Sequence, residues 1–156
     1  MVVREKLGGF VSVVCFKGVI TGMEDALGEK ATAIALIAAG RARGKNLTDS
    51  LNLTNSYIEI EDIAFKLNHA LGEEGTRLCM VDKVEQTDDL IKVYTKETVC
   101  SSGEELGSPR KCTYTLGAVW GALENIYGKR YRGFHTESVL RGGTHDVFEF
   151  KVLAEN

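Results

Sequence analysis

The sequence predicts an α+β domain, an antiparallel four-stranded sheet covered on one face by helices, with residues 1–156 as a single unit. Three observations predict it. Helical patterns occupy the N-terminal half, from Val19 to Leu71. Two alternating runs, Arg77–Glu85 and Leu90–Val99, then read as a hairpin about the turn Gln86-Thr87-Asp88-Asp89. After one further helix the chain ends in two more alternating strands joined by Gly142-Gly143. Helices and hairpins segregated in this way make an α+β domain, whereas the doubly wound parallel class needs strict strand–helix alternation. The sheet would turn Phe148, Phe150 and Met80 inward and take its cover from the helices.

The elements follow in order. Phe10–Phe16 is rich in β-branched and aromatic residues and reads either as an edge strand or as the start of a helix. A helix then runs to Leu27 and stops at Gly28, and a second spans about Glu29 to Arg43. Ala31, Ala33, Ile34, Ala35, Leu36, Ile37, Ala38 and Ala39 nearly surround this second helix, so it should be buried on more than one side. Arg41, Arg43 and Lys45 would then sit at the negative end of its dipole. Asn46–Asn55 is a polar connection. Ser56 and Glu59 form a candidate capping box for a helix with the stripe Ile60, Ile63, Ala64, Leu67, Leu71 and a stop at Gly72. His69 lies off that stripe. The breaker-rich loop Cys100–Lys111 holds the one proline.

The last third carries the most function-like residues. Leu116, Val119, Trp120, Leu123, Ile126 and Tyr127 form one helical face, Thr113 or Thr115 can cap it, and Gly128 can end it. Gly117, Ala118, Gly121 and Ala122 form a strip of small residues that a backbone or a flat ligand could approach. In the following strand, Tyr131 to Leu140, alternation places Tyr131, His135, Glu137 and Val139 on one face and Phe134, Thr136, Ser138 and Leu140 on the other. His135 and Glu137 are thereby placed as an acid–base pair, with an ordinary surface pair as the simpler alternative. A Ser138–His135–Asp146 triad fails because Ser138 and His135 point to opposite faces. The last strand turns Phe148, Phe150 and Val152 inward.

Cys112, Tyr114-Thr-Leu-Gly117, Gly121, Glu137, Gly142 or Gly143, and Phe148-Glu-Phe-Lys-Val resemble the C-terminal signature of the 4-vinyl-reductase domain family. Gly22–Gly28 and Ala38–Gly44 resemble that family's N-terminal helices. The resemblance implies a small hydrophobic-ligand-binding domain, related in fold to the subunits of the TRAPP vesicle-tethering complex. Some relatives are associated with tetrapyrrole and chlorophyll synthesis. Zinc-binding members of the family are similar to one another in three cysteines and a glutamate. Here Cys112 and Glu137 stand in that pattern, while Leu140 and Phe148 occupy the other two positions, so no metal is expected.

Composition narrows the function further. A net charge of −3 argues against a sequence-blind nucleic-acid binder. No run approaches the roughly 18–20 apolar residues of a membrane span, and Lys17 and Gly18 interrupt Phe10–Ile20 before it can read as a signal peptide. The four cysteines lack CxxC spacing and read as reduced thiols of a cytoplasmic protein, Cys15 and Cys79 as core fillers. Cys100 and Cys112 flank the polar loop and offer the alternative of a redox pair or partial metal site. Nucleotide loops, zincin motifs and nucleophile elbows are missing. The expected function is non-catalytic binding of a small hydrophobic or flat molecule, with no cofactor. Tyr114, Gly117, Trp120, Gly121, Phe134, Phe148 and Phe150 would form the walls and His135 or Glu137 the polar anchor. The competing readings are a ligand-free homodimeric assembly module, for which the second helix would be the seam, and a metal or redox sensor.

Overall fold

The computed structural model describes residues 1–154 and shows the expected class. Helices α1 (Val13–Leu27), α2 (Glu29–Ser50) and α3 (Ile60–Leu71) precede the hairpin β1 (Met80–Thr87) and β2 (Leu90–Lys96). Helix α4 (Tyr114–Tyr127), β3 (Tyr131–Glu137), a short 3₁₀ turn (Val139–Arg141) and β4 (Asp146–Val152) follow. The four strands form one antiparallel sheet in the order β1-β2-β4-β3. One face is the core, to which Ile91, Val93, Phe148, Phe150 and Tyr131 contribute buried side chains. On the other face Lys92 pairs with Glu149.

Phe10–Phe16 resolves into an extended lead and the first turn of α1. Ser12 caps that turn by accepting from the Val14 N–H, and Gly28 ends the helix at φ 85°. Helix α2 is two turns longer than the sequence pattern indicates, because Leu47 and Thr48 are buried and Thr48 Oγ1 donates back to the Gly44 carbonyl. The basic residues near Arg43 therefore do not lie in the last turn of α2, and the dipole explanation for them falls. The expected burial of α2 on several sides also fails within this chain. Only the stripe Thr32, Leu36, Gly40, Gly44, Leu47, Thr48 is buried, while Ile34 is 64% exposed.

Helix α4 is the central element and is buried almost all round. Gly40 and Gly44 of α2 face Gly117 and Gly121 of α4 across a crossing with no room for side chains. A methyl group on Gly44 would fall 2.0 Å from the Ala118 carbonyl oxygen, and one on Gly121 would fall 2.0 Å from that of Arg41. The strip of small residues thus admits a backbone. At its C-terminal end α4 is capped by Gly128 in the left-handed conformation. The α2–α3 connection covers the carbonyls left over there, with Asn55 N–H donating to the Asn125 carbonyl (2.9 Å) and Tyr57 N–H to that of Ile126 (3.2 Å). With Tyr57 engaged there, α3 starts at Ile60 rather than directly after Ser56. The predicted capping box does not form, and Glu59 takes the N-cap position of α3 without a side-chain bond.

Two bulges change which residues face inward. The shift between Val81 and Lys83 puts Val81 in the core and leaves Met80, expected inside, 41% exposed. A second shift, between His135 and Glu137, pairs Glu137 with Val147, the neighbour of the inward Phe148.

The glycine crossing predicts that Gly44→Val and Gly121→Leu destabilise the fold by at least about 1–3 kcal/mol in urea denaturation, with or without added ligand. Unchanged stability in both variants would show that the helices do not meet at these positions.

Candidate functional site

The predicted walls do not enclose a cavity. Phe148 and Phe150 are completely buried. Trp120 packs over Gly133 against the Phe150 ring, with centroids 6.3 Å apart, and its Nε1 donates to Glu124 Oε1 at 3.1 Å. Gly117 and Gly121 are consumed by the helix crossing. Phe134 is on the outer sheet face, 45% exposed, beneath the Arg132 guanidinium. Glu137 is exposed and separated from His135 by the bulge, so the proposed acid–base pair does not exist.

His135 has a different partner. Its Nδ1 accepts the Cys112 backbone N–H at 3.1 Å, which leaves Nε2 to carry the proton toward Asp146 Oδ1 at 3.2 Å. Asp146 is fully buried and also accepts from Thr98 Oγ1 (2.7 Å) and Ser101 Oγ (2.8 Å). Burial opposes ionisation most strongly, but the hydrogen bonds from His135, Thr98, Ser101 and Ser138 outweigh it and hold the carboxyl at about 2. Ser138 therefore meets the aspartate rather than the histidine. This cluster is a lock between the Cys100 loop, β3 and β4. Asp146, weighed in the sequence only as part of a triad, is the partner of His135 in place of Glu137, because alternation cannot register the bulge between His135 and Glu137.

Cys100 and Cys112 are joined in a disulfide, contrary to the expectation of reduced thiols. Cys79 is buried as expected, with burial as the main cause pushing its thiol up to about 12, whereas Cys15 is exposed. Donor atoms of Cys112, His135 and Asp146 lie within 4.8 Å of one another. They do not suit a zinc ion: the cysteine sulfur is in the disulfide, both imidazole nitrogens are engaged, and the buried Leu140 and Phe148 offer no ligand atom.

The cavity lies on the other side of α4. It has a volume of about 380 Å³, opens to solvent on one side and is bordered by the N-terminal segment Gly9–Val11, α1, α2, the end of α3 and the start of α4. Phe16, Leu47, Leu71, Leu78, Val99 and Ala118 make its apolar body, with Arg43, Thr76 and Arg77 as polar members. Tyr114 is the one predicted site residue that lines it, its ring edge-on to Phe16 at 5.3 Å. Sequence reasoning passed over the rest because they come from five separate segments. The apolar Phe10–Phe16 run was the available signal.

Helix α1 closes this cavity through polar contacts to the disulfide loop. Lys17 donates to the Cys100 carbonyl at 2.7 Å and pairs with Glu104, whose carboxyl is held below its ordinary range chiefly by that lysine. Arg110 grips Glu24 with both nitrogens at 2.8 and 3.1 Å. The loop bounded by Cys100 and Cys112 is thus the anchor of α1.

No family model matches the chain, and no curated protein matches it either. Solved structures do share its fold. One is the phenol-responsive sensory domain of the transcription activator PoxR, crystallised with phenol. It matches with a TM-score of 0.68 and 14% sequence identity, over 91% of this chain and 75% of that one. Another is a trafficking protein particle complex subunit 3 from Naegleria fowleri, covalently bound to palmitic acid. Its TM-score is 0.62 at 15% identity, over 91% of this chain and 93% of that one. At such identities the likeness is one of fold, and the fold is TRAPP-like.

Two outcomes are expected. Asp146 has a folded pKa below its ordinary value of 3.8, so its stabilisation is complete above about pH 4 and is lost as pH falls toward 2. Asp146→Asn should cost roughly 2 kcal/mol at pH 7 and make the acid limb of the stability curve shallower; an unchanged limb would refute the assignment. Thiol titration should give one reactive group in the native protein (Cys15), two in denaturant and four after reduction. Reduction should lower stability by about 3 kcal/mol, and four thiols without reductant would show that the disulfide is not formed.

Proposed function

We propose that this protein binds a small, largely apolar molecule in the cavity beneath α1 and does no chemistry on it. The observation that carries this reading is the cavity itself, of ligand size and lined mostly by aliphatic and aromatic side chains. The molecules named with the two fold relatives, phenol and palmitic acid, fit the same description. The tightly engaged His135–Asp146 pair lies in the core cluster between β3 and β4 and supplies no free base to a bound molecule. Association with α1 gives such binding a means of being felt outside, because α1 buries Ile20 alone as an apolar core residue and is held by ion pairs.

The test is calorimetric titration with propylphenol and with decanol, against wild type and Val13→Trp. Val13 stands at the cavity rim and is partly exposed, so a larger ring there should leave the fold intact. Saturable binding by wild type, weakened about tenfold or more in the variant, is expected. Binding that ignores the substitution would place the ligand elsewhere, and no binding of either compound would remove the reading.

A further inference from the structure

The rim of the cavity is less apolar than its body. Arg43, from α2, and Arg77, from the loop between α3 and β1, both line it, and among the described residues no acidic side chain does. Among the described residues neither guanidinium is paired with a carboxylate. Two of the chain's eight arginines do pair with carboxylates, Arg41 with Glu124 and Arg110 with Glu24.

Arg77 is held at the rim in a conformation a side chain disfavours, with φ at 57°. Its own N–H donates to the Gly72 carbonyl at 3.1 Å, and its Nε to that of Glu73 at 3.2 Å. The loop behind it is tight enough that a methyl group on Gly75 would fall 2.0 Å from the Ala70 carbonyl oxygen. The guanidinium lies over the Phe10 ring at 4.7 Å, against the segment that closes the cavity. Beside it, Thr76 Oγ1 is buried and has no hydrogen-bond partner among the described residues. A buried hydroxyl without a partner is uncommon, since it forgoes the bonds it made to water. Local strain of the kind seen at Arg77 gathers at ligand clamps.

Resting on the reading of this cavity as a ligand site, we propose that its occupant is an amphiphile with a carboxylate head. Arg43 and Arg77 bind the head, Thr76 donates its hydroxyl to it, and the apolar body lies among Phe16, Leu47, Leu71 and Val99. The planar fork of a guanidinium matches the two oxygens of a carboxylate, and hydrogen bonds to a charged acceptor are about twice as strong as neutral ones.

Decanoate and decanol carry the same chain with and without the charge, so each is titrated calorimetrically into wild type, Thr76→Val and the double variant Arg43→Gln/Arg77→Gln. Both arginines are exposed, and their replacement should leave folding intact. Wild type should bind decanoate about tenfold or more tightly than decanol, and added salt should narrow the gap. The double variant should bring decanoate down to the affinity of decanol and leave decanol unchanged, and Thr76→Val should weaken decanoate alone. Equal affinities in wild type, or a double variant that loses both compounds alike, would overturn the carboxylate assignment while the cavity reading stands. If neither compound binds, the cavity reading fails and this assignment with it.

Discussion

The structure depends on the backbone-to-backbone crossing of α2 and α4. Four glycines, at 40, 44, 117 and 121, bring the helices together with carbonyl groups against α-carbons. Each glycine opposes helix formation by about 1 kcal/mol relative to alanine, so the arrangement survives only because the enclosure of α4 repays it. Leu116, Val119, Leu123 and Ile126 are all buried to 6% exposure or less, and α4 becomes the rod on which helices and sheet converge. Its position fixes where Trp120, Tyr114 and Glu124 can reach.

Two buried carboxylates then tie the layers laterally. Glu124 takes Arg41 of α2 on both oxygens, Trp120 of its own helix and the Tyr131 N–H at the start of β3. Burial works most strongly against its ionisation, but Arg41 and the Tyr131 backbone bond keep it below its ordinary range. Asp146 does the same for β3, β4 and the Thr98–Ser101 segment. In both sites every buried charge has directed donors, the condition under which a charge is tolerated away from water. The region between α4 and the sheet is therefore filled and cross-linked, and the space for a ligand is displaced to the opposite side of α4. There α1 is fastened by Lys17 and Arg110 to a disulfide-closed loop rather than by a deep apolar contact.

Much of this was legible residue by residue. The stops at Gly28 and Gly128 needed only the conformational freedom of glycine, and the stop at Gly72 the end of an apolar stripe. The alternation of Phe148, Phe150 and Val152 fixed the register of β4, because a slip by one residue would expose both phenylalanines. The small-residue strip of α4 was equally visible, but a strip records only that something comes close. It could not say that the partner was the matching strip on α2, seventy-seven residues earlier at Gly40 for Gly117.

The sequence by itself determined the class, the order of elements and the inward residues of regular strands, since these follow from local periodicity and from glycine and side-chain chemistry. Only the tertiary structure decided the rest. The bulge after His135 sent Glu137 outward and gave the histidine Asp146, a change of partner that a period of two cannot encode. The proximity of Cys100 and Cys112 came from the loop's return to the head of α4. The cavity was assembled from the N-terminal segment, α1, α2, α3, α4 and two connections, and it lies beneath α1 beside the packed glycine crossing. Such a void belongs to no segment of the chain, so no local pattern records it.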